Sequence, residues 1–324
     1  MEYRILGRTG LKVSEISFGA WAIGKSWWGE QEDDVSLAAL HRALELGVNF
    51  IDTAQVYGDG HSERLIAKVL KERGEKNKVV VATKVPPKNY QWPGSGKAPL
   101  AKAFPKDYVI SRAELSLKAL ETDCLDIYQL HVWSDGWIEQ TEWHEGMQEL
   151  KKQGKIRFIG ASINDHAPDD ARKLVESGMT DTIQVIYNLF DQSPEDNLLP
   201  LAKEKNVGII VRVPFDEGSL TGKFTYDTKF PDNDFRARYF RGNRMKETVE
   251  RAEKLKFLSR GEMKSLAQAA LKFCLSHPAV SAVIPGIRTP EQAELNCAAS
   301  GGKLLTPEEL KEVKKHRWIR NFYS

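Results

Sequence analysis

Cysteine is scarce in this chain: three residues among 324, at positions 124, 274 and 297. They are far apart and form no CxxC pair, which excludes a disulfide framework and a cysteine metal cage and suits a reducing cytoplasm. Long apolar runs are also missing. None approaches the roughly 20 residues that cross a bilayer, and the opening Met1-Glu2-Tyr3-Arg4 is unlike a signal peptide. A cytoplasmic, non-membrane protein is expected. Excess charge of one sign is missing too, since 47 basic residues face 45 acidic ones for a formal net charge of +2. No broad field draws the molecule to nucleic acid or to an anionic membrane. Two familiar strings are absent. Gly58-Asp59-Gly60 lacks the third glycine of a GxGxxG turn, and His61 with Glu63 lacks the HExxH spacing, so neither a doubly wound dinucleotide crevice nor a metal site is announced.

What is present is alternation. Short runs rich in Val and Ile, at 16–21, 49–54, 79–85, 125–131, 156–161, 182–187, 207–213 and 279–285, are separated by segments of helical period. The helical segments are 35–46, 62–72, 107–121, 139–153, 167–176, 195–204 and 263–276. The strands are apolar on both faces, as strands buried on both sides must be. Eight such repeats predict a (β/α)8 TIM barrel, α/β in class, forming one domain over 1–324. Gly7-Arg8-Thr9-Gly10 reads as the turn of an N-terminal hairpin capping the barrel bottom. The segments 86–105 and 215–244 read as long loops over the C-terminal rim, where barrel enzymes place their chemistry. The tail, 307–317, reads as a charged amphipathic packing helix.

Four polar residues lie at or just past three adjacent strand ends: Asp52 and Tyr57, Lys84, and His131. Each alone has an ordinary reading, such as a cap, a loop tyrosine or a core histidine. Lysine at a buried strand end needs a partner, and Asp52 on the next strand can supply it. A phenol has a reference pKa near ~10, and a neighbouring ammonium is expected to lower it. With His131 orienting a carbonyl oxygen, the set can give that oxygen a proton as hydride reaches its carbon. The hydride donor must then bind beside Tyr57, across the barrel rim.

The strings carrying these residues resemble the aldo-keto reductase superfamily, in its potassium-channel β-subunit-like branch. They are Gly7-Arg8-Thr9-Gly10, Ile51-Asp52-Thr53-Ala54 with Tyr57-Gly58, Thr83-Lys84 and Leu130-His131, followed by Ile159-Gly160-Ala161-Ser162, Gln184-Val185-Ile186-Tyr187-Asn188, Gly218-Ser219-Leu220-Thr221-Gly222-Lys223 and Ile284-Pro285-Gly286. The resemblance spans nearly the whole chain. It implies NADPH-dependent reduction of an aldehyde or ketone in a barrel, with Asp52, Tyr57, Lys84 and His131 as the catalytic tetrad. It further implies that Gly19, Ala20, Trp21 and Asp52 bind the cofactor and that Ser162 and Gln184 hold the nicotinamide amide. Arg212, Val213, Pro214 and Phe215 follow the seventh strand, and Arg212 stands where an aromatic usually stacks on the ring; a guanidinium can also lie flat there. Ile163 stands where the family has Asn after Ser162. Gly218, Ser219, Thr221 and Lys223 match the pyrophosphate loop. Gly286, Arg288, Gln292 and Asn296 match the adenosine end, Arg288 at a helix N-terminus suiting the 2′-phosphate of NADP. Leu295 replaces a common Glu.

Trp21, Tyr57 and Trp133 are the expected substrate wall. The small-molecule carbonyl substrate, the direction of reaction and the choice between monomer and homo-oligomer are not legible. Two other readings compete: a cofactor-binding regulatory subunit with little turnover, and a barrel glycosidase. The second needs paired carboxylates across the pocket, and His131 stands where an acid would help; Asp216 and Glu217 are the adjacent acids after strand seven.

Overall fold

The structure, a computed structural model, describes residues 1–25 and 27–323. It opens with an antiparallel hairpin, β1 (Tyr3–Ile5) and β2 (Lys12–Ser14). Eight parallel strands then pair in chain order: β3 (Phe18–Gly19), β4 (Phe50–Asp52), β5 (Val80–Val85), β6 (Leu125–Leu130), β7 (Ile156–Ser162), β8 (Thr182–Ile186), β9 (Gly208–Arg212) and β10 (Val280–Val283). Parallel bridges Ile16–Val283 and Gly19–Gly286 join the two ends of the sheet and close the (β/α)8 barrel. Gly19 lies at the seam, where a Cβ would come within 2.6 Å of the Ile284 carbonyl oxygen. Only glycine lets the chains approach so closely. The first strand is shorter than the run at 16–21 suggests, because the chain turns into a 3-10 segment at Ala22–Gly24.

The helices of the repeats are α1 (Asp33–Glu45), α2 (His61–Arg73), α3 (Lys106–Ala119), α4 (Glu142–Lys152), α5 (Arg172–Ser177) and α6 (Leu198–Glu204). The segment after β9, expected as loop, contains α7 (Phe235–Tyr239) and leads into α8 (Arg244–Glu253) before α9 (Leu266–Ser276). α8 buries Met245, Thr248, Val249 and Ala252, the helical i, i+3, i+4, i+7 stripe carried by weakly apolar residues. α10 (Pro290–Cys297) follows β10. α11 (Pro307–Lys314) starts at a capping box formed by Thr306 and Glu309. Among the described residues no helix is long and apolar enough to cross a membrane.

Side chains alternate faces along a strand, and this alternation sorts the barrel interior by height. At the bottom, Leu6 and Val13 of the hairpin pack with Phe50, Val80, Ala82, Ile127, Ile210, Ala282 and Ile284. Two residues further along four of those strands come Asp52, Lys84, Gln129 and Arg212. The interior therefore changes from apolar to polar toward the C-terminal rim while Asp52, Lys84 and Gln129 remain buried. Buried polar groups of this kind are tolerated only when they satisfy one another.

Candidate active site

The floor of the rim is a hydrogen-bond cluster centred on Asp52. One carboxylate oxygen accepts from Lys84 Nζ at 2.6 Å; the other accepts from Gln129 Nε2 at 3.2 Å and Gln184 Nε2 at 2.7 Å. Lys84 also donates to the Thr53 carbonyl at 2.7 Å. Parallel register sets Asp52 beside Ala82 and Lys84 beside Gln129, so three neighbouring strands supply most of the cluster and β8 adds Gln184 from across the barrel. Burial draws the Lys84 ammonium below its usual range, and the Asp52 charge opposes that. Beneath, Thr83 donates to the buried Glu63 at 2.6 Å, and burial raises that carboxyl.

Tyr57 lies in the loop between β4 and α2. A Cβ on Gly24 would meet the Tyr57 backbone carbon at 2.6 Å, and one on Gly58 would meet the Gly24 carbonyl at 2.2 Å. Two glycines thus let the first rim loop clasp the tyrosine. Lys84 Nζ is 5.1 Å from the Tyr57 ring centroid. The His131 ring meets the tyrosine edge-on at 5.7 Å, and Trp21 stacks on its other side at 6.1 Å. The expected lowering of the phenol by Lys84 is not found. Burial first, then the Asp52 carboxylate, holds Tyr57 above its ordinary range, with Arg212 acting the other way. Burial dominates, and Asp52, 2.6 Å from the ammonium, offsets part of its pull on the phenol. His131 is held well below its usual range by burial, then by the charges of Lys84 and Arg212. It is a neutral imidazole whose Nδ1 is buried without a partner.

A cavity of about 1390 Å³ opens above this floor. Asp52, Tyr57 and His131 line it, as do Gly19, Ala20, Trp21, Ser162, Gln184, Arg212, Val213, Pro214, Phe215, Gly218, Thr221, Lys223, Gly286, Arg288, Gln292 and Asn296. Lys84 lies beneath the lining, wholly out of solvent. Two expected positions are corrected. Trp133 is in the core, packed edge-on against Trp137 and Trp143, with its indole N–H on Asp135. It follows His131 by two residues, but the chain has left the strand by then. Ser219 is also off the cavity; its hydroxyl donates to Asp216 at 2.5 Å. Trp92 takes the wall position instead, edge-on to His131 at 5.8 Å.

The aldo/keto reductase family model matches residues 15–317. The chain belongs to the aldo/keto reductase family. Among relatives, it is 33% identical over 316 residues to aldo-keto reductase YhdN of Bacillus subtilis, covering 97% of this chain and 92% of that protein. It is 30% identical over 331 residues to a probable voltage-gated potassium channel subunit beta of Oryza sativa, covering 97% and 96%. Among solved structures, glycerol dehydrogenase AKR11B4 of Gluconobacter oxydans superimposes with a TM-score of 0.78 at 30% identity, covering 97% of this chain and 94% of that one.

Within this aldo/keto reductase, several rim features escaped the sequence reading. Val213, Asp216 and Glu217 have φ of 54°, 48° and 57°. For a β-branched valine this is a real outlier, and such strain gathers at functional sites. The C-terminal tail holds this segment down. Arg320 donates to Asp216 and Tyr323 to Glu217. Glu217, Asn321 and Tyr323 line the cavity, and burial pushes Glu217 up to about 7. Arg236, paired with Asp234 at 2.6 Å, lies 4.7 Å over Trp28 and also lines the cavity. A bridge between Trp28 and Asp234 ties the first rim loop to the one after β9. The tail pairs and the Trp28–Asp234 bridge leave no local motif, because each joins residues distant in sequence. A Phe-rich stretch near 235 is the only hint.

Proposed function

We propose that this chain reduces an aldehyde or ketone to an alcohol with NADPH, reversibly, as a single cytoplasmic barrel domain of residues 1–324. The observation that carries the reading is the convergence of Tyr57, His131 and the Lys84–Asp52 pair on one wall of the cavity. The rim fits a nicotinamide cofactor. Ser162 and Gln184 are register partners on adjacent strands and both line the cavity. Gln184 gives its N–H to Asp52, leaving its carbonyl oxygen for a carboxamide. Gly286 has open space where a Cβ would stand. At the far end Lys223, Arg236 and Arg288 supply positive charge for phosphates. Arg288 already donates to Gln31 and to the Glu30 carbonyl, which aims its guanidinium while other donors stay free for a 2′-phosphate.

The cofactor, when bound, supplies a hydride to the carbonyl carbon. The chain's residues manage the proton. Tyr57, held above its ordinary range, is protonated at neutral pH. A carbonyl oxygen gaining negative charge is a stronger base than a phenolate, so the proton moves from Tyr57 to substrate. Lys84 beneath the ring favours the phenolate that results. His131, neutral, can hydrogen-bond the same oxygen and fix its direction without competing for the proton. Asp52 keeps Lys84 charged in a dry site. Trp21 and Trp92 exclude water from the flank.

The test is turnover: loss of NADPH absorbance with a panel of aldehydes and ketones. Oxidation of NADPH dependent on carbonyl compound supports the reading. Cofactor binding without turnover of any carbonyl compound contradicts it and favours a regulatory subunit.

A further inference from the structure

The proposed chemistry fixes a carbonyl group but not the charge of the molecule that bears it. The cavity's own charges do. At one end Arg236 and Arg288 feel each other's field, and Lys223 adds to it. At the other end lies Arg212, whose charge reaches Tyr57 and His131. Among the described residues it is the cation lining that end. It stands at the tip of β9 with its side chain 18% exposed, and it is not free. Its Nη2 donates to Asp165 at 2.6 Å and to the Ile163 carbonyl at 3.0 Å, while its Nε is buried without a partner. Asp59, Asp165 and Glu217 line the cavity with it.

We propose that Asp165 sets the charge class of the substrate: it neutralises Arg212, the cation whose charge reaches Tyr57 and His131, so that the pocket beside the tyrosine offers an anion no net positive charge. The site therefore takes uncharged carbonyl compounds and turns away those bearing a carboxylate or phosphate. Such an anion would meet an Arg212 already neutralised at 2.6 Å and would lie beside the Asp165 carboxylate, a repulsive arrangement that discriminates between substrates. The aromatic mouth agrees with this. Trp27, Tyr90 and Trp92 are exposed around it and offer faces for an uncharged body. The proposal rests on the carbonyl-reductase reading and deepens it.

The test uses 4-nitrobenzaldehyde and 4-carboxybenzaldehyde, which share a shape and differ by one negative charge. The kcat/KM of each is measured with NADPH for the unaltered protein, Asp165→Asn and Asp165→Ala. The intrinsic reactivities differ but cancel when the nitro-to-carboxy ratio is compared between proteins. Freeing a guanidinium for one charged hydrogen bond shifts that ratio toward the carboxylate by about tenfold to a hundredfold, mainly through KM. Adding Arg212→Gln to Asp165→Asn removes the gain. A ratio unchanged in both Asp165 variants, or a gain that survives the loss of Arg212, overturns the proposal. Turnover of other carbonyl compounds but of neither benzaldehyde leaves the reductase reading standing; turnover of none fails it. Charge selectivity is then read by calorimetry with benzoate and benzamide on the full chain loaded with NADP+. Benzoate binding that improves in Asp165→Asn supports the role of Asp165, and equal binding to both proteins overturns it.

Discussion

Lys84 and Asp52 meet at 2.6 Å across adjacent strands, the lysine side chain wholly out of solvent and the aspartate nearly so. Removing one partner of such a pair leaves a buried charge uncompensated. Lys84→Met should lower stability by about 3–5 kcal/mol, read by urea unfolding, and should abolish carbonyl reduction. Asp52→Asn combined with Lys84→Met removes both charges and should recover most of that stability, while reduction stays lost. A double variant no more stable than Lys84→Met would show that the pair is not the unit described here.

Glu217 gives the fold a pH dependence of defined sign. Its folded carboxyl is pushed up to about 7 by burial, above the ordinary carboxylate value. A group raised in the folded state contributes stability that is complete below its unfolded pKa and is lost as pH rises through the folded one. The protein should therefore lose stability between about pH 5 and about pH 8, and Glu217→Gln should flatten that loss. Urea midpoints at several pH values decide it; parallel curves for the two proteins would contradict the assignment.

His131 acts in the opposite sense. Burial and the Lys84 charge keep it well below its usual range, so its contribution to stability is present above about pH 6.5 and falls as pH drops below that. The imidazole should stay neutral through the physiological range. Nuclear magnetic resonance titration should show the His131 resonances unmoved near neutral pH. A His131 midpoint near its ordinary value would contradict the buried, neutral orienting role.

The proposed preference for NADPH rests on Arg288. Arg288→Ala should weaken NADPH binding by about tenfold or more and leave NADH nearly unchanged, as measured by fluorescence titration. Equal weakening of both would move the 2′-phosphate elsewhere, with Arg236 the next candidate.

The barrel was legible because each strand is apolar on both faces and each βα unit repeats. The Asp52, Lys84 and His131 positions were legible because a polar residue closing an apolar run stands out. Four things were hidden. α8 carries its buried stripe on Thr248, Ala252, Met245 and Val249, too weakly apolar to announce a helix. Trp133 falls two residues past a strand end, and sequence distance does not tell whether the chain there turns toward the cavity or into the core. The tail contacts, Tyr323 with Glu217 and Arg320 with Asp216, join residues about a hundred positions apart, and such pairings exist only once the barrel has closed. The raised phenol of Tyr57 was hidden for another reason. Lys84 was visible as a cation, but the burial of the phenol, the larger effect, exists only in the closed rim.

The central claim is that the Tyr57 hydroxyl delivers the proton while the rest of the rim holds the cofactor. Tyr57→Phe removes that hydroxyl and keeps the ring between Trp21 and His131. The measurement is NADPH affinity together with kcat for an aldehyde in the same variant. Affinity should be retained while kcat falls by about 10²–10⁴-fold. Turnover equal to that of the unaltered protein would contradict the account.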